Sequence, residues 1–317
     1  MNDSHDFGNE GVSNFAEWIA AGPWPIDGGL SGELESLGHD LSDNLWSARL
    51  LKDDPQSIQQ VHASYVTAGA RVLITSSYQA SRQGFSAAGL SGQQADELIS
   101  TSVQIARNVA SSAVTKVWVA ASVGPYGAVL GGGQEYVGNY GISHSTLVDF
   151  HRERIEVLAA AQPDVFACET IPDLREVEAL LEVLADYRHI PAWITMSCKN
   201  ATDTCAGQPV AGLSDLVSSS SNVAGIGVNC TMPEFVSSLL EQLGSAKPLV
   251  VYPNAGRVWD GAARQWVGQG MTSIPSQAVT EWVTLGAQLI GGCCGLGPHA
   301  ISDLDSQFEE LRKSATQ

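Results

Sequence analysis

The sequence predicts a single (β/α)8 barrel, on three observations. Eight short apolar, β-branched runs recur along the chain. Each is followed by a stretch of helical periodicity, and polar residues collect just past the run ends. Runs that are apolar throughout are strands buried on both faces, as in a parallel sheet whose crossover helices cover it. Eight such units within 317 residues fit one barrel domain over residues 1–317 better than a doubly wound open sheet.

The elements follow in order. Trp24-Pro25-Ile26 is a short first strand leading into Asp27-Gly28-Gly29. Helical periodicity from about Ser57 precedes Arg71–Thr75, and that from about Gln93 to Ala113 precedes Val117–Ala121. Ser145 to Ala161 precedes Val165–Cys168, and Leu174 to Tyr187 precedes Ala192–Met196. A weaker, Ser-rich stretch from Leu213 to Ser221 precedes Ala224–Val228. Pro233 to Leu243 precedes Leu249–Tyr252, Ser276 to Leu285 precedes Ala287–Ile290, and Ile301 to Lys313 closes the chain. Three connections are long: Pro125 to Ile142, rich in Gly and Tyr, the polar Lys199 to Gly212, and Ala255 to Pro275. All three follow strands, which places them on the C-terminal rim, where barrels build active sites.

Composition narrows the function. With 44% hydrophobic and 16% charged residues, the chain can bury a sizeable core. A net charge of −18 argues against nucleic acid or an anionic membrane as partner, since both need a basic face. Six cysteines in 317 residues are no secreted disulfide framework. The polar, acidic start Met1–Asp6 lacks the pattern of a signal peptide, and no apolar run approaches the ~20 residues of a membrane span. The expectation is a cytoplasmic protein with reduced thiols, and a monomer.

The residues just past the runs carry the chemistry. Cys230 follows Gly225–Asn229, and Cys293-Cys294 follow Leu289–Gly292. On one rim the three thiolates meet, and three thiolates with an open fourth position make a catalytic zinc site. Zinc beside a thiol substrate suggests alkyl transfer to sulfur. Adjacent strand residues point to opposite faces, so Cys293 and Cys294 share a metal only if glycines bend the backbone there. Packing cysteines and a disulfide within the adjacent pair remain alternatives. Asp27 suits a turn before glycine, and Glu169 suits a helix N-terminus. Sharing a rim with the cysteines, both also suit a ligand ammonium group. Cys168 reads as core, and Cys198 and Cys205 as ordinary loop thiols. Gly131-Gly132-Gly133 lacks the ending of a phosphate loop and reads as a lid or turn.

These residues also carry a resemblance. Asp27-Gly28-Gly29-Leu30, Leu45–Ala48, Ala68–Ala70, Thr75–Ala80, Phe150–Arg154, Glu169–Pro172, Gly227–Thr231, Tyr252–Gly256 and Gly291–Gly295 resemble the homocysteine S-methyltransferases, the S-methylmethionine-type branch in particular. The resemblance covers nearly the whole chain. It implies zinc held by Cys230, Cys293 and Cys294, and the homocysteine amino group held by Asp27 and Glu169. It also suggests substrate-binding roles for Tyr78, the loose match to a tyrosine that fills the fourth zinc position in betaine-using relatives, and for Asn229. Gly32 departs from the threonine expected there. The implied reaction moves a methyl group from S-methylmethionine, or S-adenosylmethionine, to homocysteine, giving methionine. Trp46, Tyr136, Tyr140 and Trp259 are candidate holders of the cationic donor. Rival readings are a betaine-type or a selenocysteine or selenohomocysteine methyltransferase, and a non-enzymatic zinc or redox thiol protein.

Overall fold

The computed structural model describes residues 14–41, 45–256, 258–260, 265–267 and 270–315. Strands β1 (Trp24–Pro25), β2 (Val72–Ile74), β3 (Trp118–Val123), β4 (Val165–Ile171), β5 (Ala192–Met196), β6 (Val223–Asn229) and β7 (Leu249–Tyr252) occur in chain order. Strands β8 (Val258–Asp260) and β9 (Gln265–Val267) form a separate antiparallel hairpin, and β10 (Ala287–Ile290) completes the main sheet. That sheet is parallel and eight-stranded, in the order β1-β10-β7-β6-β5-β4-β3-β2. A parallel bridge between Ile26 and Val72 joins its ends. The result is a barrel with helices between successive strands, and all eight expected runs lie in it.

Local chemistry sets the helix boundaries. Asp54 caps the helix Pro55–Thr67 by accepting from the Ser57 amide, with proline at the first turn. Ser91 and Gln94 form a reciprocal capping box on Gly92–Ser112. The two-residue alternation of the strands then divides the core. Leu73, Val119, Phe166, Ile194, Val228 and Val251 face the helices, and buried Cys168 packs with them, as expected of a core residue. Val72, Trp118, Val165, Trp193, Val250 and Leu289 face inward.

The inward side is apolar at the bottom and polar at the top. A helix before the first strand, Phe15–Ala20, puts Phe15, Trp18 and Ile19 against Trp118 and Trp193, plugging the lower end. The sequence pattern gives no sign of this plug, because six residues are too few for a clear period. Nor does it show the hairpin inside the long Ala255–Pro275 connection. Continuing the alternation upward places Ser122, Glu169, Asn229 and Tyr252 inside the barrel mouth. Among the described residues no helix is long and apolar enough to cross a membrane.

Candidate active site

Three sulfurs meet at the rim. Cys230 follows directly on β6 with a positive φ of 45°, a conformation a non-glycine residue adopts only at a cost. Its amide donates to the Tyr252 carbonyl, and the Cys293 amide donates to the Pro253 carbonyl. Beyond β10 the chain leaves strand geometry, as Cys293 and Cys294 both require. Glycine makes that path possible: a Cβ on Gly291 would lie 2.5 Å from the Asp27 carbonyl oxygen, and one on Gly29 2.6 Å from that of Cys293. The first and last strand ends can therefore touch, carrying Asp27 to the cysteines.

All three Sγ atoms lie within 4.8 Å of one another. Cys294 Sγ is 3.9 Å from Cys230 Sγ and 4.0 Å from Cys293 Sγ. Tetrahedral bonds of about 2.3 Å to a metal would separate two thiolates by roughly 3.8 Å, so Cys294 already stands at coordinating separation from both partners. Cys230 and Cys293 are joined to each other by a disulfide. The cross-strand pair, rather than the adjacent Cys293-Cys294 pair, is the one that bonds. In this disulfide Cys230 and Cys293 are not the thiolates the sequence reading expects. The set fits a thiolate-seeking metal ion once that bond is reduced. Burial pushes the Cys294 thiol up to about 11, and nearby carboxylates add to this. A metal taking that sulfur must displace its proton.

Two carboxylates face the cluster from the barrel mouth. Asp27 is 3% exposed, and its Oδ2 accepts from the Ile74 amide at 2.7 Å. Burial, then the neighbouring Glu169, hold its carboxyl well above the usual range. Glu169 is pushed up to about 7 by burial, against hydrogen bonds from Ser122 and Tyr252 and the nearby Arg154 charge. It lies within β4, at a register shift between Cys168 and Ile171, rather than at a helix start. Among the described residues no cationic side chain forms a salt bridge with either carboxylate, although the Arg154 charge acts on Glu169.

Asn229 is buried, and its side-chain amide is engaged within the fold. Its Oδ1 accepts from the Thr170 amide at 2.6 Å and from the Thr195 hydroxyl at 2.8 Å, while its Nδ2 donates to Thr170 Oγ1 at 2.7 Å. Thr170 has a positive φ of 59°, so the amide braces a strained residue next to Glu169. Tyr78 is buried beside Thr170, and Tyr136 is buried beside Cys294. Tyr136 thus joins Tyr78 among the tyrosines of the rim and is the one next to a sulfur. Tyr140 packs tilted against Tyr126, with ring centroids 5.5 Å apart. The side chains of Trp46 and Trp259 lie outside the described residues. Gly32 has open space where a side chain would go, so its departure from threonine leaves the site untouched.

Sequence reasoning missed Ser122, Tyr252 and Arg154. The first two were legible only as inward positions of strands. Arg154, 2% exposed, donates to the carbonyls of Gly124, Ser77 and Tyr78 at 2.8–3.0 Å. It ties the ends of β2 and β3 together beneath Tyr78. Lysine cannot reproduce a fork on three acceptors. Arg154→Lys should therefore cost about 3 kcal/mol of stability, read as a lowered Tm in thermal unfolding; an unchanged Tm would show that the carbonyls find other donors.

Comparison with known proteins agrees with this geometry. Residues 26–308 match the family model described as homocysteine S-methyltransferase. The chain is 39% identical over 302 residues to homocysteine S-methyltransferase YbgG of Bacillus subtilis, covering 90% of this chain and 95% of the relative. It is 41% identical over 301 residues to homocysteine S-methyltransferase 1 of Zea mays, covering 89% and 93%. The metallated crystal structure of the Escherichia coli homocysteine methyltransferase MmuM superposes with a TM-score of 0.81 at 37% identity, covering 90% of this chain and 96% of that one. An oxidized form of the same enzyme gives 0.81, covering 90% and 95%. With its thiol cluster and carboxylates on the rim of a (β/α)8 barrel, the chain belongs to the homocysteine S-methyltransferase family and is an enzyme that transfers a methyl group to homocysteine.

Proposed function

We propose that the protein transfers a methyl group from S-methylmethionine to L-homocysteine, with zinc held by Cys230, Cys293 and Cys294. The observation that carries this reading is the three-sulfur cluster, with Cys294 at coordinating distance from both partners. Three thiolates and a fourth open position suit zinc. A reducing compartment such as the cytoplasm keeps the Cys230–Cys293 pair open. Bound zinc would supply one thing, the loss of the homocysteine thiol proton to solvent near neutral pH.

The protein's own residues do the rest. Asp27 and Glu169 take the homocysteine ammonium group, which fixes the position of its sulfur. Asn229 and Ser122 hold Glu169 in place, the former through Thr170. The methyl group then leaves the donor sulfonium, whose bonding pair stays on the donor sulfur and makes it a neutral thioether. The acceptor sulfur supplies the pair for the new bond, so both products are methionine. An anion meeting a cation loses charge on the way to the transition state, and a site closed to water favours this once the partners are aligned. The acidic rim favours a cationic donor; S-adenosylmethionine shares that charge.

The test is a donor panel on reduced, zinc-loaded protein. S-methylmethionine should give methionine at rates well above betaine, and a strong chelator should abolish turnover until zinc is returned. Under denaturing conditions the oxidised protein should titrate Cys168, Cys198, Cys205 and Cys294 only, and the reduced protein all six. Chelator-resistant turnover would sink the metal, and betaine preference would sink the donor.

A further inference from the structure

We infer that Glu135 binds the α-ammonium group of the methyl donor and so selects amino-acid sulfoniums over other methyl sources. This rests on the sulfonium-donor reading above and deepens it. Glu135 lies in the short 3-10 turn Gln134–Tyr136, inside the long connection after β3. Gly131, Gly132 and Gly133 all have positive φ, from 67° to 80°, and this folds the connection back over the barrel mouth. The Ser197 hydroxyl donates to the Glu135 carbonyl at 3.5 Å.

The carboxylate is built for a ligand rather than for the fold. Glu135 is only 9% exposed, and its Oε2 is buried with no hydrogen-bond partner. Among the described residues no salt bridge reaches it. A buried carboxylate with an idle oxygen costs stability that a purely structural glutamine would not. The turn that holds it also holds Tyr136, packs on Gly127 beside the Tyr140 hydroxyl, and is tied to Ser197, the residue just past β5. The Glu135 charge acts on Tyr136 and Cys294. The buried carboxylate therefore lies in the connection over the barrel mouth, on a different element from Asp27 and Glu169.

Chemistry chooses which cation it takes. Asp27 and Glu169 already form one ammonium receptor, for the acceptor. The donor brings a sulfonium and an ammonium. The sulfonium charge vanishes as the methyl group leaves, so a carboxylate against it would stabilise the ground state more than the transition state and slow the reaction. The ammonium charge survives into product, so holding it tightens donor binding without resisting transfer. The tyrosine rings are left for the sulfonium methyl groups.

Glu135→Gln keeps the shape and removes the charge. In the zinc-loaded enzyme the KM for S-methylmethionine should rise at least about tenfold, with kcat within about threefold and the homocysteine KM unchanged. The wild-type preference for S-methylmethionine over 4-(dimethylsulfonio)butanoate, the same sulfonium without its amino group, should shrink by a similar factor. Glu135→Asp should recover part of the loss, and unaltered zinc content confirms a folded site. An unchanged S-methylmethionine KM, an equal rise in the homocysteine KM, or an undiminished preference for the amino-bearing donor would overturn the assignment while leaving the sulfonium reaction intact. A wild type that transfers methyl from no sulfonium would remove the donor reading and this inference together.

Discussion

Cys230→Ser should lose stoichiometric zinc and methyl transfer together. Metal content by elemental analysis and methionine formation with S-methylmethionine read the two effects. The expected fall in rate is at least about 100-fold. Roughly 30-fold follows from protonation alone, since a thiol of pKa ~8.5 is only about 3% ionised at pH 7. The remainder follows from losing the anchor that aligns the acceptor sulfur with the methyl group. Cys294→Ser should behave likewise, although Cys294 lies outside the Cys230–Cys293 disulfide. That comparison separates metal binding from a redox role. A protein working through the disulfide would tolerate Cys294→Ser and fail with Cys230→Ser, whereas a three-thiolate site fails with both. Full activity in a zinc-free Cys230→Ser protein would end the metal reading.

The parts of this site legible in the sequence are those fixed by strand periodicity. Apolar runs locate every barrel strand, and the residues just past them include Asp27, Cys230, Cys293 and Cys294. One principle explains this: strands entering a barrel rim converge on one axis, so sequence separation drops out. What stayed hidden depends on which way a polar group turns. The resemblance suggests a substrate role for Asn229, whereas in the fold its amide is spent on the positive-φ Thr170. Tyr78 and Tyr136 are both rim tyrosines, and only the folded lid decides which lies beside Cys294. Arg154 sits in a helix whose charged neighbours are surface residues, and its burial comes from carbonyls contributed by two other strand ends. Convergence on the rim brings Cys230 and Cys293, 63 residues apart, together when β6 and β10 both flank β7, but the sequence does not say which two of the three sulfurs bond.

Glu169→Gln should raise the homocysteine KM by roughly 30-fold or more, with kcat and zinc content nearly unchanged. Removing one partner of a buried charge pair costs about 2–5 kcal/mol. The ammonium group is remote from the reacting sulfur, so that loss falls on ground and transition state alike and appears in KM. The pH profile provides an independent check. Burial holds Glu169 at about 7 in the free protein, and only its ionised form pairs with an ammonium. The wild-type kcat/KM for homocysteine should therefore fall about tenfold per unit as pH drops below 7, and the Gln variant should lack this limb. Stability should move the opposite way. A carboxyl raised in the folded state from 4.5 to about 7 favours folding while protonated, so its contribution is lost as pH rises from 4.5 through 7. The loss is of order 3 kcal/mol for a group this buried. At pH 8 the ligand-free Gln variant should consequently melt higher than wild type, and homocysteine should narrow the gap by returning a cation to the carboxylate. A variant that loses homocysteine affinity and melts lower at pH 8 would show Glu169 to be a structural brace instead of a substrate carboxylate.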